Sequence, residues 1–430
     1  MSLEEKVGQI LMVHFHGEIA NDEAKALVQE TKVGAIIYYN WSNGLTSPLQ
    51  VQALSASLQQ LAKENRIPIP LLIAADQEGG VVARLQSGFT IFPGNGALGK
   101  TCNPDLAKLS AFAMGQELLA VGINMNLAPV VDVNSNPKNP VIGVRSFGED
   151  PEIVVAFGKK ALEGFKQAGV IATLKHFPGY GDAAVDPHEE LPIIHKSKAE
   201  LEKVELVPFT ELKSADAIMT AHILVPTLDP ENCSTLSEKT LSYLKNKIGY
   251  QGVIVADSLV MEGVLKKCHS VDEASIRALN AGCDLLILGG KLLAGEHTGF
   301  DLTAADIKRI HQSIVEAVKS GLIAEERLNS AAKKVLQLKE RYLKPEISSL
   351  NFSEKINAQE HQKLAHKIAS LALEIKENHK IGNLGDQKIF ILAPTILQDS
   401  LQNSSLFNIG KSTDCYFLTI LKPSICKEMR

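Results

Sequence analysis

Short apolar runs recur along this chain, and a stretch with helical spacing follows each of them. The runs are GQILMVHF, GAIIYY, LLIAAD, INMNLAPV, VIATLKHF, AIMTAHI, GVIVAD and DLLILGG. Several are apolar almost throughout, which is the pattern of strands covered on both faces of a parallel sheet. Between them lie amphipathic stretches such as NPDLAKLSAFAMGQELLAV and DPEIVVAFGKKALEGFKQAG. The second has Asp150-Pro151 at its head and Gly169 at its tail, the start and stop signals of a helix. Strand alternating with helix predicts a parallel α/β sheet, and eight repeats favour a closed (β/α)8 TIM-like barrel. An open doubly wound sheet would carry a glycine-rich phosphate loop after its first strand. Neither GxGxxG nor GxxxxGK(S/T) stands there. The first run is ambiguous, because LEEKVGQILMVHF also suits a helix entering a short strand.

The barrel pattern ends near KKVLQLKERYLK, which predicts a catalytic barrel over residues 1–342. In residues 343–430, LAHKIASLALEIKENH reads as a helix running into a strand, and QKIFILAP and CYFLTILKP read as strands. They predict a small, shortened C-terminal α/β appendage, to which no chemistry is assigned.

Polar residues fall at the ends of the runs: Asp76, Asp132, Lys175-His176, His222 and Asp257. The C-terminal ends of barrel strands converge on the face that carries active sites. One polar residue after a strand is usually a turn former or cap. Five strand ends bearing Asp, Lys and His point to a functional cluster.

Composition narrows the function. The 430 residues are 45% hydrophobic and 22% charged, with a net charge of −5. No basic block favours nucleic acid or an anionic membrane. No apolar run approaches the roughly 20 residues of a membrane helix. The six cysteines lack CxxC spacing and read as unpaired thiols in a reducing compartment rather than a structural zinc site. MSLEEKVGQILMVHF has acidic residues ahead of a short apolar run, unlike a secretory signal, so a cytoplasmic location is expected.

The stretch LKHFPGYGDAAVDPHEELP at 174–192 concentrates candidate chemistry. It is too long for a simple strand-to-helix connector. Asp186 and His188 lie two apart across Pro187. An Asp bonded to one imidazole nitrogen fixes the tautomer and raises the basicity of the other, so this pair suits a proton shuttle. A metal here is disfavoured, because Lys175 beside His176 opposes a bound cation. Three other groups have two readings each. Asp257 is a helix cap or a nucleophile. Asp76, Glu78 and Arg84 form a salt-bridged turn, with Gly79-Gly80 suggesting close backbone packing, or part of a pocket. Arg145 pairs with Glu149 or Asp150, or holds a substrate. His195, His269, His297 and the lone Trp41 take structural or rim readings.

The string KHFPGYGDAAVDPHEELP resembles the signature loop of the β-N-acetylglucosaminidases of glycoside hydrolase family 3. AADQEGGVVARLQSGFTIFPGNGALG, NLAPVVDVNSNPKNPVIGVRSFGEDP, IMTAHI and GVIVADSLVMEGV are similar to further motifs of that family, in the family's order. The resemblance covers roughly residues 1–342. It implies a TIM barrel that removes terminal β-linked N-acetylglucosamine, from muropeptides of peptidoglycan or from chitooligosaccharides, with neither metal nor organic cofactor. By motif position, Asp257 corresponds to the nucleophile and His188 to the general acid/base, with Asp186 as its partner. Asp76, Arg84, Arg145, Lys175 and His176 fall where the family binds the sugar. A retaining glycosidase needs such a pair on opposite faces of the sugar. Imidazole titrates near pH about 6.5, so it serves as the acid without burial, on a loop free to move. The complete DPH element argues against a family 3 β-glucosidase or β-xylosidase. A phosphorylase using the same site is a closer rival. A silent peptidoglycan-fragment binding protein would have lost Asp257 or His188.

Overall fold

The computed structural model describes residues 1–185, 191–291, 301–343 and 355–373, and the backbone of two strands at 389–393 and 415–419. Every one of the eight apolar runs contains a strand: β1 Leu11–Val13, β2 Ala35–Ile37, β3 Leu72–Ala75, β4 Met125–Asn126, β5 Ile171–Phe177, β6 Ala217–Thr220, β7 Val253–Ala256 and β8 Leu285–Ile287. They form a closed parallel barrel in which each strand neighbours its predecessor in sequence. β1 pairs with β8 through Leu11↔Leu286 and Met12↔Ile287 to close the ring.

Side chains alternate across these strands. In β3, Leu72 and Ala74 join the barrel interior with Met12, Met125, Ile171 and Met219, while Ile73 and Ala75 face the helices. Both faces are therefore apolar, which is why the runs lack a polar alternation. Each fully buried large aliphatic side chain contributes about 1.5–3 kcal/mol.

The helices follow local signals. α1 Leu3–Gln9 begins with a capping box between Ser2 and Glu5 and leads into β1, so the ambiguous first segment is a helix entering a strand. α2 Pro104–Ala120 is capped by Asn103. α3 Pro151–Ala168 is capped by Asp150, starts with proline, and stops at Gly169, whose φ of 86° suits glycine. α4 Ala304–Lys319 and α5 Glu325–Tyr342 complete the ring. α5 also seals the N-terminal mouth. Its Val335 and Leu338 enter the interior cluster. Lys339 Nζ donates to Gln9 Oε1 at 2.7 Å, and Lys334 Nζ reaches the Gly252 carbonyl at 3.0 Å and Asp284 Oδ2 at 3.1 Å. Arg341 and Tyr342 both bond Asp216. Gln9, Asp216, Gly252 and Asp284 all stand just before strands, so this helix ties four strand entrances together.

The first compact unit runs from Met1 to Leu373. α6 Gln359–Ala372, beyond residue 342, packs within this unit. Its anchoring is tertiary. Ile368 is buried in the barrel's outer core. Glu117 of α2 accepts from Thr90 Oγ1 at 2.6 Å and from Asn357 N at 3.1 Å, and lies 2.8 Å from His361 Nδ1. The second unit, Glu374–Arg430, contains β9 Ile389–Ala393 and β10 Cys415–Thr419, paired in parallel from Ile389↔Cys415 to Ala393↔Thr419. Both were expected as strands. Among the described residues, Cys102, Cys233, Cys268 and Cys283 are free thiols. No described helix is long and apolar enough to cross a membrane.

Candidate active site

The C-terminal strand ends converge on a cavity of about 430 Å3. Asp76, Glu78, Arg84, Arg145, Lys175, His176, His222 and Asp257 all line it. Six of these eight were expected at the site, and the chain brings them together from residues 76 to 257.

Its floor is a chain of alternating charges. Asp76 follows β3, and a small hairpin of Gln77–Gly79 and Val82–Ala83 folds Arg84 back onto it. Arg84 Nη2 lies 3.2 Å from Asp76 Oδ2. Gly79 turns the hairpin at φ 87°, and a Cβ there would stand 2.9 Å from the Pro93 carbonyl oxygen. Lys175 Nζ sits 2.9 Å from Asp76 Oδ1 and 2.7 Å from Glu78 Oε1. Arg145 grips Glu78 through two bonds, Nε to Oε2 at 2.9 Å and Nη2 to Oε1 at 2.8 Å. Its partner is therefore Glu78 rather than Glu149 or Asp150. Burial alone would pull the Lys175 ammonium down, but Asp76 and Glu78 outweigh it and hold the ammonium above its ordinary range. Burial likewise opposes ionisation of Glu78, yet Lys175 and Arg145 hold it down at about 2. Asp76 is pushed in the same direction by Lys175 and Arg84, against its burial. All five groups stay charged across the physiological range. Their dipoles and charges are fixed before a ligand arrives, which is what orienting a polyhydroxylated ring requires.

Lys175 and His176 are adjacent on β5, where neighbouring residues ordinarily face opposite ways. The pairing of β5 with β6 slips between Leu174 and Phe177, a bulge that lets both side chains line one cavity. The Lys175–His176 peptide bond within it is cis. His176 is held by the fully buried Asp132: its Nδ1 lies 2.7 Å from Asp132 Oδ2, and its backbone N–H donates to the same carboxylate at 3.2 Å. Tyr180 N donates to Asp132 Oδ1 at 2.6 Å, fixing the turn that follows.

Asp257 ends β7. It does not cap the next helix, whose N-cap is Met261. Asp257 Oδ1 instead accepts from Ser258 N at 2.7 Å. A relay surrounds this pair. Asp257 N donates to Thr220 Oγ1 at 3.4 Å, Thr220 Oγ1 is 2.8 Å from Thr235 Oγ1, and Thr235 Oγ1 is 2.9 Å from His222 Nδ1. His222 Nε2 lies 2.8 Å from the Ser258 carbonyl oxygen. A carbonyl only accepts, so His222 carries a proton on Nε2. The relay thus holds the backbone on both sides of the Asp257 carboxylate.

Residues 2–338 match the N-terminal domain of glycosyl hydrolase family 3. This chain belongs to that family. Its relatives include the β-hexosaminidase A of Pseudoalteromonas piscicida, 33% identical over 435 residues, covering 94% of this chain and 70% of that protein. The β-hexosaminidase of Tolumonas auensis is 38% identical over 282 residues, or 64% of this chain and 81% of the relative. The solved family 3 β-N-acetylglucosaminidase of Paenibacillus sp. str. FPU-7 superposes with a TM-score of 0.83 at 39% identity, covering 92% of this chain and 73% of that one. The chain is a glycoside hydrolase on a (β/α)8 barrel.

In and around the cavity stand groups to which the sequence alone gives no role. Glu78 reads from sequence as part of a salt-bridged turn or of a pocket, and its burial against Lys175 and Arg145 depends on folding. Asp132 and His222 stand at strand ends, a position that marks them without assigning a role. Tyr39 and Trp41 stack at 5.1 Å between ring centroids and form an aromatic wall of the cavity, with Lys291 Nζ 4.3 Å from the Trp41 ring centre. His195 and His269 are exposed and lie outside the lining. Asp186, His188 and His297 lie outside the described residues.

Proposed function

We propose that this enzyme releases terminal β-linked N-acetylglucosamine with retention of configuration, from N-acetylglucosamine-bearing fragments of peptidoglycan. The observation that carries it is the Asp257 carboxylate, one oxygen engaged by Ser258 N–H, on a cavity shared with a preformed ionic cluster. The activities named for the relatives, β-hexosaminidase and β-N-acetylglucosaminidase, support the choice of sugar. In the first step an Asp257 oxygen attacks C1 while His188 gives a proton to the departing glycosidic oxygen. In the second, water attacks C1 and returns a proton to His188 as the bond to Asp257 breaks. Asp186 holds the imidazole tautomer. Asp76, Arg84, Arg145, Lys175 and His176 orient the ring.

A slow fluorinated N-acetylglucosaminide should trap a covalent adduct on the Asp257 peptide, seen by mass spectrometry, and β-N-acetylglucosamine should be the first anomer in the NMR spectrum. Release of the α-anomer, or an adduct elsewhere, overturns the mechanism. Asp257→Ala should lower kcat on an aryl β-N-acetylglucosaminide by about ten-thousandfold or more. His188→Ala should lose far more rate with poor leaving groups than with activated ones, and equal losses remove its role as acid. On defined substrates, kcat/KM should be higher for muropeptides than for chitooligosaccharides. Equal values would withdraw the peptidoglycan assignment alone.

A further inference from the structure

Behind the aromatic wall of the cavity lies a second cluster of side chains. His14 and His16 follow β1, and Phe15 between them is buried in the outer core. The strand's alternation therefore sends both imidazoles to the other side together. Asp301, just before α4, meets them there. One ligand atom from each of the three residues lies within 4.8 Å of the others. His16 Nε2 is 2.6 Å from Asp301 Oδ2, and His14 Nε2 is 3.6 Å from the same oxygen, beyond hydrogen-bond reach.

His14 is the telling member. It is only 1% exposed, yet among the described residues neither of its ring nitrogens has a hydrogen-bond partner. Leaving a buried polar group unpaired costs about 1–3 kcal/mol, so such a group calls for a partner. The cluster is also held from outside. Glu23 accepts from His16 N at 3.1 Å through Oε2 and from Ala304 N at 3.2 Å through Oε1, which ties the β1 exit to the start of α4. That is the outer support that fixes ligand spacing in metal sites.

We propose that His14, His16 and Asp301 form a binding site for a divalent transition metal of the zinc class, set behind Trp41. Two imidazoles and one carboxylate suit zinc, cobalt or nickel, whereas calcium and magnesium take oxygen ligands. Ligand atoms around a tetrahedral ion lie about 3.3 Å apart. The His14 to Asp301 separation fits, and the His16 pair opens by less than an ångström. Three protein ligands leave a fourth position for water. The ion would stand beside the Trp41 ring, whose centroid is 5.0 Å from His14 and 5.6 Å from His16, and so stiffen one wall of the sugar cavity.

Trp41 is the chain's single tryptophan, so its emission reports on this place directly. Chelator-treated full-length protein should take up one Co2+, seen by calorimetry, with quenching of Trp41 fluorescence and visible bands lacking thiolate charge transfer. Zn2+ should displace it. His16→Ala and Asp301→Asn should each weaken both signals at least about tenfold. His16 is 49% exposed, so its replacement leaves the core intact. Cys102→Ser should change nothing. Protein that takes up no Co2+, or uptake and quenching unaltered in both His16→Ala and Asp301→Asn, overturns the proposal.

Discussion

Lys175 and Lys339 stand at opposite mouths of one barrel, and both side chains are buried. At the open C-terminal mouth, Lys175 lies between Asp76 and Glu78, and its ammonium is held above the ordinary lysine range. At the sealed N-terminal mouth, Lys339 has the neutral Gln9 amide oxygen at 2.7 Å, and burial pulls it down to about 7. Burial is common to both, so the carboxylates make the difference. The open mouth keeps charge because it is built as a network in which every charged member has an opposite neighbour. The sealed mouth carries a lysine that the fold holds half-neutral for the sake of packing.

Three substitutions probe this contrast. Lys175→Met leaves two buried carboxylates short of a cation. It should destabilise the fold by about 3–5 kcal/mol in urea titration and abolish turnover. A neutral effect on stability would mean that the network is not a unit. Asp132→Asn keeps the shape but removes the charge that holds His176. It should lower kcat/KM by about 10- to 100-fold through misplacement, with a smaller change in unfolding midpoint. Lys339→Met should act in the opposite sense, raising stability at pH 7 by about 1–2 kcal/mol and leaving kcat unchanged. The sign follows from proton counts. The folded group titrates near about 7, whereas in the unfolded chain it keeps the usual lysine value of 10.5. Between these values the unfolded chain binds the extra proton, so wild-type stability gains a rising contribution from pH 7 toward 10.5 and none below 7. In Lys339→Met that rise should vanish. A rise that persists would place the neutral form elsewhere.

Much of the site was legible in the chain because barrel topology turns a one-dimensional mark, a polar residue at a strand end, into convergence at one mouth. Asp76, Asp132, Lys175, His176, His222 and Asp257 carry that mark; all but Asp132 line the cavity, and Asp132 is fully buried against His176. Arg84 and Arg145 lie off the strands, and their motifs placed them. For Glu78 the sequence suggested a turn or a pocket but not its partner, because Arg145 lies 67 residues away. The His14, His16 and Asp301 cluster was equally silent, since His16 and Asp301 are 285 residues apart. The place of α6 is likewise decided by tertiary contact. Helical periodicity gives α6 an apolar face but does not say which surface covers it, and Glu117 of α2 supplies the anchor.

The sequence by itself determined the eight strands, the barrel class and the register of polar strand ends, because these rest on local periodicity and on caps a few residues apart. Only the tertiary structure decided which charges neutralise one another, which lysine stays protonated, and which helix closes each side. Those outcomes depend on distances of 3 Å between residues far apart in the chain, and on how much water each pair excludes.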